Sequence, residues 1–577
     1  MVPPMRRPRV VLAALAITGL LVLAPAAGAQ DKQTALLRAA FPSEDGSLTP
    51  YTFTNGYPLM TLVYDTLTWR DVDGVAQPWL AQSVRRDGRT VTVRLRQGVR
   101  WHDGRSLTAA DVVFTYRYMA ARRHPRFTLQ LRDIASVTAR DSRTVVFALR
   151  RPSLGFEDQP LADVPILPRH LWANLPRNRR APAGLPVGSG PYRLAGHHVG
   201  RSYTFEANRT YFKGRPTVAT LEVPIVHDEK RAYNALTSGL PSARIDLVPY
   251  TVPAGSIPDR NRQISLDEGV SYNGTMLAFN LDRSPFNRPV ARRAVADGID
   301  LERIAGAVSG AGAMAPAQRG AVHPQSPWAP EQELHRYDPA AARLAFSEQG
   351  IEPFRVLASS QDAVRLEGAR RVVEALRRAG AQAQLVALPP TALQRALGRG
   401  GRTPTFEAAV VGLPALASYD PAYLRTVFGD PQAAALNDFG YRSARFERLD
   451  DRIAAATSKA ARQDAVAAEL ELLADDLPAL PLFFGGTTFA YGKAGYPGWV
   501  SVRGSGVLDK LSFLPGPRTS KVAAPVDSDP RDTAADTGGG SLVPFILGLA
   551  GLLLVATAMW IVRGGSRSSR TRGGGSR

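Results

Sequence analysis

Residues 95–119 read LRQGVRWHDGRSLTAADVVFTYRYM, a run that predicts a strand, a turn and a helix in that order. The strand ends near Arg96, and the WHDG tetrapeptide at 101–104 forms the turn because Asp and Gly adopt the conformations that a short loop needs. Thr108 begins the helix as its N-cap, and Asp111 completes a capping box at the positive end of the helix dipole. The stretch is therefore predicted to be structural. A metal or general-base role for its histidine stays a minor alternative, since no second ligand lies at a helical or strand spacing.

The chain on both sides of this stretch alternates between strand and helix patterns. Apolar and polar residues alternate, as in half-buried strands, in TVTVRLR (90–96), TVVFALR (144–150) and SYTFEAN (202–208). Residues 297–308 and 363–379 have helical periodicity, and Gly380 provides the C-cap of the second of these helices. The pattern predicts a mixed α/β architecture.

The N-terminal residues 1–29 have the features of a signal peptide. Three arginines precede an uncharged run over 10–24, and small residues at Ala27 and Ala29 precede the predicted cleavage site. The residues after the Arg-Arg pair do not complete a twin-arginine motif. General secretion is therefore the predicted route.

The C-terminal residues 542–562 are free of charge, and at about 1.5 Å per residue they are long enough to cross a hydrocarbon core of roughly 30 Å. The tail at 563–577 carries arginines and no acid, so the positive-inside rule predicts that it is cytoplasmic. Residues 516–541 lack aromatics and are rich in Pro, Asp, Thr and Gly, which is typical of a flexible linker. This linker makes a transmembrane helix a better interpretation than a buried hairpin helix.

The composition limits the classes of partner and chemistry. The chain has no cysteine, which excludes disulfides and a lipid-modified N-terminal cysteine. Its formal charge of +20 falls to +12 once the three arginines of residues 1–29 and the five of residues 563–577 are set aside, and this still favours anionic surfaces or ligands. Arginines spread over solvated faces explain the charge at least as well. No basic block is interleaved with aromatics, so nucleic acid is not a predicted partner.

A resemblance to a known family rests on residues 64–119, which contain a D-G turn, P-x-L-A, an amphipathic strand, G-V-x-W-H-D-G and a capped L-T-A-x-D-V helix. The segment resembles solute-binding protein family 5, the peptide/nickel family of ATP-binding-cassette (ABC) importers. Further similar segments follow in the family's order: GSGPYRL (188–194), NRTYFKGRP (208–216), MLAFNLDRSPFNRPVARRAVADGIDLERI (276–304), YDPAAARLAFSEQGI (337–351) and DDLPALPLFF (475–484).

The resemblance implies a two-lobed periplasmic-binding-protein-like α/β fold of the large class (class II, cluster C). Lobe I would be discontinuous, with residues 30–270 and a returning segment at 485–515, and lobe II would comprise residues 271–484. A peptide-like or other small organic solute would bind in the cleft between the lobes. The implied partners are an ABC permease and its ATPase subunits.

Peptide-binding members of the family hold the ligand amine with an acid in lobe II and can hold its carboxylate with an upstream arginine. The segment similar to the acid motif is VVGLPALASYDPAYLRTVFG (410–429), in which Ala417 stands near the acid position and Asp420 is the only carboxylate. The upstream loop has Ser360 and Gln361 where an arginine can stand. Asp420 could bind an amine, but a carboxylate directly before proline is also typical of a turn.

Ligand contacts are predicted from loop residues with hydroxyl, amide, aromatic or carboxylate groups, which suit an adaptable concave site. The alternative for each of them is an ordinary loop residue at the surface. The candidates are Ser47, Tyr51, Ser360, Gln361, Tyr419 and Asp420.

No metal, cofactor or catalytic site is predicted. Eight histidines are scattered along the chain, and only His197 and His198 are close in sequence, where a strand would point them to opposite faces. The chain lacks cysteine ligands, H-E-x-x-H and a G-x-S-x-G elbow. A hydrolase would need a nucleophile, a base and an orienting residue that these motifs do not supply.

The sequence thus predicts a non-enzymatic, membrane-anchored extracytoplasmic solute receptor of an ABC importer. The open alternative is a membrane-tethered sensor or envelope scaffold with the same fold that feeds no permease. A membrane-anchored hydrolase is the third and least supported alternative.

Overall fold

The computed structural model describes residues 33–516 except 45, 54–55, 123, 125, 238–243, 250–263, 310–313, 400–401, 433, 435 and 494. The predicted signal peptide (1–29), the linker from residue 517, the predicted transmembrane helix (542–562) and the tail (563–577) lie outside the described residues. Within the described ranges, no helix combines the length and the apolar character needed to cross a membrane.

Strands and helices alternate over most of the described chain. The strands are β1 (Thr34–Arg38), β2 (Thr68–Arg70), β3 (Ala76–Pro78), β4 (Ala81–Asp87), β5 (Thr90–Leu95), β6 (Ile134–Ala139), β7 (Thr144–Leu149), β8 (Tyr192–His198), β9 (Ser202–Ala207), β10 (Val218–Pro224), β11 (Leu247–Val248), β12 (Ile264–Phe279), β13 (Ala315–Pro316), β14 (Phe354–Ser359), β15 (Ala383–Leu388), β16 (Ala408–Leu413) and β17 (Ala479–Gly492).

The helices vary from single turns to five turns. They are α1 (Tyr57–Val63), α2 (Ala109–Ala121), α3 (Arg169–Trp172), α4 (Glu229–Thr237), α5 (Pro289–Asp297), α6 (Leu301–Val308), α7 (Pro339–Glu348), α8 (Ala363–Arg378), α9 (Pro390–Ala396), α10 (Leu416–Tyr419), α11 (Leu424–Phe428), α12 (Ala444–Ala455) and α13 (Lys459–Asp476). Short 3-10 helices lie at Thr128–Leu131, Leu154–Phe156, Pro421–Tyr423 and Lys510–Phe513.

Lobe I contains two four-stranded sheets, in the orders β1-β10-β9-β8 and β4-β5-β7-β6, and the small hairpin β2-β3. Its core extends from Leu37 to Leu247 and also includes residues from the end of the described chain, among them Phe489, Trp499 and Phe513. The chain therefore returns to lobe I after building lobe II, and its last described segment fills the core of the first.

A seven-stranded sheet in the order β11-β17-β12-β16-β14-β15, with β13 beside β17, extends from lobe I, which contributes β11, into lobe II. Strands β14, β15 and β16 are parallel, and α8 packs against them. The long strands β12 and β17 pair antiparallel and carry the chain from lobe I into lobe II and back. Their register shifts between Val270 and Gly274, so the irregularity lies where the two strands cross between the lobes.

The sequence predictions for single elements are largely confirmed. The three alternating runs are β5, β7 and β9. The helix predicted at 363–379 is α8, and Gly380, which follows its end, has a φ of +92°. The helix predicted over 297–308 is confirmed as α6 from Leu301 to Val308, but its predicted start is wrong, because α5 ends at Asp297 and the chain breaks at Gly298. Asp300 starts α6 anew, since its carboxylate accepts a hydrogen bond from the Arg303 N–H (3.0 Å).

The WHDG turn is structural, as predicted. The His102 Nδ1 accepts a hydrogen bond from the Gly188 N–H (3.2 Å), and its Nε2 lies 3.0 Å from the Gly190 carbonyl oxygen. Both glycines pack directly on the end of α1, where a Cβ on Gly188 would lie 1.9 Å from the Val63 oxygen. His102 therefore connects the turn to the G-S-G-P-Y segment, and burial lowers its pKa.

We expect Thr108→Ala to destabilise the protein by about 1 kcal/mol, because it weakens the N-cap of α2. The Thr108 N–H and hydroxyl both donate to the Asp111 carboxylate, at 2.9 and 3.2 Å. Urea unfolding measures the effect, and Thr138→Ala on an exposed strand position is the control, expected to change stability by less than about 0.5 kcal/mol. Affinity for the predicted solute should be unchanged in both variants, and a loss of that affinity with full stability would contradict the structural role.

Candidate ligand cavity between the lobes

A cavity of about 570 Å³ lies between the lobes, within the range of roughly 300–1,000 Å³ that is usual for small-molecule sites. Its lobe I wall comprises Tyr57, Pro58, Thr61, Trp69, Arg70, Arg126, Asp163, Gly504, Ser505, Leu508 and Asp509. Its lobe II wall comprises Asn273, Pro414, Ala415, Leu416, Tyr419 and Tyr423. Both lobes and the returning segment thus contribute to one site.

Short elements and loops position these side chains. Tyr57 and Thr61 lie one turn apart on α1, so they share a face of that helix. Trp69 and Arg70 end β2, whose pairing with β3 fixes their positions. In lobe II, the chain leaves β16 and forms the single turn of α10, which carries Leu416 and Tyr419 to the cavity.

Arg126 and Asp163 form an ion pair in the lobe I wall. The Arg126 Nη2 and Nε lie 2.8 and 3.2 Å from the two carboxylate oxygens of Asp163, and the guanidinium stacks 4.2 Å from the Tyr57 ring centroid. Burial alone would raise the pKa of Asp163, but the Arg126 guanidinium outweighs it and lowers that pKa to about 2. This pair is therefore ionised at neutral pH.

The two lobes contact each other around the cavity. The Arg70 guanidinium of lobe I lies 3.9 Å from the centroid of the Tyr419 ring. The Tyr419 hydroxyl is 3.1 Å from the Ser505 Oγ, and the Gln159 side-chain amide donates to the Leu416 carbonyl oxygen (3.0 Å). These contacts connect the two lobes beside the cavity.

Of the six predicted ligand contacts, Tyr419 lines the cavity. Asp420 is its neighbour in sequence but faces away into an ion pair with Arg462, a side chain that is only 1% exposed. The Asp420 carboxylate also accepts a hydrogen bond from the Ala422 N–H (3.1 Å) and caps the turn before Leu424. The carboxylate is therefore already occupied within lobe II.

The other four candidates lie apart from the lining residues. The Ser47 hydroxyl is 3.2 Å from the Thr52 hydroxyl, and the Tyr51 ring packs against Tyr118, His124 and Trp172. Ser360 and Gln361 are exposed at the end of β14, where the Ser360 N–H donates to the Leu388 carbonyl oxygen (2.8 Å). For ligand binding these four residues stay predictions.

Most of the lining residues were missed from the sequence. Arg126 and Asp163 are 37 residues apart, and Arg70 is more than 300 residues from the tyrosine on which it stacks. Helix and strand periodicities relate residues only a few positions apart, so they cannot predict contacts between positions this distant in sequence. Arg70 does lie within the 64–119 segment, but only the folded structure shows that it lines the cavity. Among the described residues, no group of three or more His, Asp or Glu side chains could hold a metal ion.

We expect the stability of the protein to fall as the pH drops from about 6.5 to 4, in part because of His323. This side chain is 2% exposed and lies beside Tyr272, with a ring-centroid distance of 5.1 Å. Burial and then the Arg503 charge lower its pKa to about 4. The unfolded chain therefore binds the proton first, near pH 6.5, and stability is lost until the folded histidine also titrates.

His323→Gln should remove this contribution, which is at most about 3 kcal/mol between the two pH limits. Thermal unfolding at a series of pH values measures it, with the exposed His198→Gln as the control. An unchanged pH profile in His323→Gln would contradict the assignment.

Comparison with known proteins gives a consistent result. The family model "Bacterial extracellular solute-binding proteins, family 5 Middle" matches residues 75–434. The oligopeptide-binding protein AppA of Bacillus subtilis is 28% identical over 260 residues, which are 42% of this chain and 45% of AppA. The dipeptide-binding protein of Escherichia coli is 26% identical over 306 residues, 49% of this chain and 55% of that protein. The chain thus matches about half the length of these curated relatives.

Solved structures match over more of their length. The structure of B. subtilis AppA in complex with a nonapeptide has a TM-score of 0.69 at 21% identity, and the match covers 84% of this chain and all of AppA. The structure of NikZ from Campylobacter jejuni in complex with Ni(L-His) has a TM-score of 0.69 at 22% identity, covering 84% of this chain and all of NikZ. At these identities the likeness establishes the two-lobed α/β fold.

Proposed function

The chain belongs to the family of bacterial extracellular solute-binding proteins, family 5, and on that premise we propose that it is the extracytoplasmic solute receptor of an ABC importer. It binds a peptide-like or other small organic solute between its lobes and delivers it to a permease, whose ATPase subunits supply the energy. Solute contacts made with both lobes favour the closed form, so closure signals occupancy to the permease.

The cavity between the lobes is the observation that carries this proposal. Its volume of about 570 Å³ fits a small molecule, and its wall combines aromatic rings with a few charged groups, as is usual for solute sites. Tyr419 is the predicted contact that we propose to touch the solute, since its ring faces the cavity and its hydroxyl connects it to the returning segment.

The solute need not be a free peptide. B. subtilis AppA was solved with a nonapeptide and C. jejuni NikZ with Ni(L-His), so proteins of this fold hold different ligands. In this chain the carboxylate nearest the expected amine-binding position, Asp420, is neutralised by Arg462 and capped into a turn. We therefore propose a solute that is not anchored by its amine at Asp420.

We also propose that residues 542–562 anchor the protein in the membrane as a single span. The uncharged run, the arginine-rich tail at 563–577 and the linker before them support this topology. The lobes, with residues 30–270 and 485–515 in lobe I and 271–484 in lobe II, would then lie outside the cytoplasm, joined to the span by the linker at 516–541.

Native mass spectrometry of the full chain, purified from its own host in mild detergent, tests the receptor function. We expect a small molecule bound at one copy per chain. Adding that molecule back to stripped protein at about 100-fold excess over its Kd should stabilise the fold by about 2.7 kcal/mol. A chain that carries no solute, and that gains no thermal stability from peptide and metal-chelate libraries, would overturn the proposal and favour a sensor or scaffold.

A further inference from the structure

Among the described residues, the cations Arg70 and Arg126 line the cavity, and the Lys510 ammonium lies 4.1 Å from the ring centroid of the lining residue Trp69. Two of these three cations are matched by acids. Arg126 forms its two-pronged ion pair with Asp163. Lys510 is fully buried and its Nζ lies 2.8 Å from an Asp65 oxygen. Buried charges in proteins are ordinarily paired in this way, because an isolated one loses its hydration without compensation.

Arg70 is the third cation, and it is unmatched among the residues that the structure describes. Its side chain lines the cavity, the residue is only 7% exposed, and none of those residues forms an ion pair with it. One nitrogen, Nη2, donates to the backbone oxygen of Asp158 (2.8 Å), while Nε is buried without a hydrogen-bond partner in the described structure. The guanidinium otherwise rests on the Tyr419 ring.

The acids closest to this guanidinium are held by other groups or stay apart from it. Asp163 accepts from Arg126 and from the Gln130 amide (2.6 Å). The Asp509 Oδ1 accepts from the Trp69 indole N–H (3.2 Å) and from the Leu511 N–H (2.9 Å). Asp158, Asp163 and Asp509 are all near enough to interact electrostatically with Arg70, but none of the three forms an ion pair with it. An external acceptor is what this cation lacks.

We propose that the solute carries an acid group, and that Arg70 binds this group in the closed cavity. The inference rests on the proposed receptor function. A guanidinium fork fits a carboxylate or a phosphate, and it makes stronger hydrogen bonds to either than to a neutral acceptor. The stacking on Tyr419 fixes the plane of the fork from the opposite lobe, so the acid group would be held only when the lobes are closed.

The test uses the full chain as wild type, Arg70→Gln, Arg70→Lys and Arg503→Gln. Each protein is stripped, incubated with the small-molecule fraction of a host extract, and analysed by native mass spectrometry for retained masses and their concentration dependence. Arg503 is the matched control, because it belongs to the same lobe but is partly exposed and lies near Asp73 (3.7 Å). Methyl esterification of the released solute identifies carboxylates, and phosphate-specific fragmentation identifies phosphates.

We expect wild type to retain a solute with an acid group and Arg70→Gln to bind that solute about 10–100-fold more weakly. Arg70→Lys should lose less affinity than Arg70→Gln, and Arg503→Gln should bind the solute with the affinity of wild type. A retained solute without an acid group, or unchanged binding in Arg70→Gln, would overturn the inference and leave the receptor function intact. If Arg70→Gln does not fold, Arg70→Lys decides the test: an affinity equal to that of wild type would overturn the inference. Retention of nothing by any of the four proteins would overturn the receptor function itself.

Discussion

Lys510→Met is expected to destabilise the protein by about 3–5 kcal/mol, because it leaves the Asp65 carboxylate buried without its countercharge. Both side chains are fully buried. Asp65 accepts hydrogen bonds from the Lys510 ammonium (2.8 Å), the Trp79 indole (2.9 Å), the Tyr211 hydroxyl (2.9 Å) and the Ser189 hydroxyl (3.1 Å). The remaining three donors are neutral and cannot replace the charge.

The double variant Asp65→Leu with Lys510→Met should be more stable than Lys510→Met alone, since it removes the stranded charge as well as its partner. Lys213→Met is the matched control. Its ammonium also lies over the Trp79 ring, at 4.5 Å, but forms no ion pair among the described residues, so we expect a change below about 1 kcal/mol. Urea midpoints and slopes measure all three effects, and a Lys510→Met midpoint equal to that of the control would refute the expectation.

Gly155→Leu is expected to hold the lobes apart and to weaken solute binding about 100-fold, because the closed state becomes a minor population. Gly155 lies in the 3-10 helix Leu154–Phe156 of lobe I and faces the Asp420–Arg462 pair of lobe II. A Cβ on this glycine would lie 2.4 Å from the Asp420 Oδ2 and 2.9 Å from the Arg462 Nη2. That pair is buried and fixed by its own ion pair, so it cannot withdraw without losing its partner.

Small-angle X-ray scattering of the solute-loaded proteins measures this opening directly. We expect a larger radius of gyration for Gly155→Leu than for wild type, with a thermal stability close to that of wild type without solute. Gly306→Leu is the control, because no atom lies within 4 Å of a Cβ at that helical glycine. Equal radii and equal solute retention in Gly155→Leu and the control would show that the glycine does not limit closure.

The fold could be predicted from the sequence wherever the signal is local. The strand, turn and helix around WHDG were predicted correctly because strand alternation, an Asp-Gly turn and a capping box all act within a few residues. The start of α6 was placed too early, at Asp297, which is the last residue of α5, although Gly298 and the N-cap Asp300 mark the break between the two helices. A capping residue inside a periodic run therefore predicts the boundary of a helix better than the periodicity does.

The cavity could not be predicted in the same way. Its walls come from α1, the β2-β3 hairpin, α10 with the residues on either side of it, and the segment near Ser505, which the topology brings together from distant parts of the chain. Asp420 was a reasonable candidate from its neighbours in sequence, but the side chain that neutralises it, Arg462, is 42 residues away on α13. Only tertiary structure distinguishes a free carboxylate from an occupied one.

The return of the chain to lobe I also determines the order in which the protein can mature. Lys510 meets Asp65 across 445 residues, and the core of lobe I includes Phe489, Trp499 and Phe513. A nascent chain has therefore synthesised all of lobe II before lobe I can be completed, which is unlike the usual N-terminal-first sequence. We expect the first half to remain loosely structured until the segment around Phe513 has been synthesised.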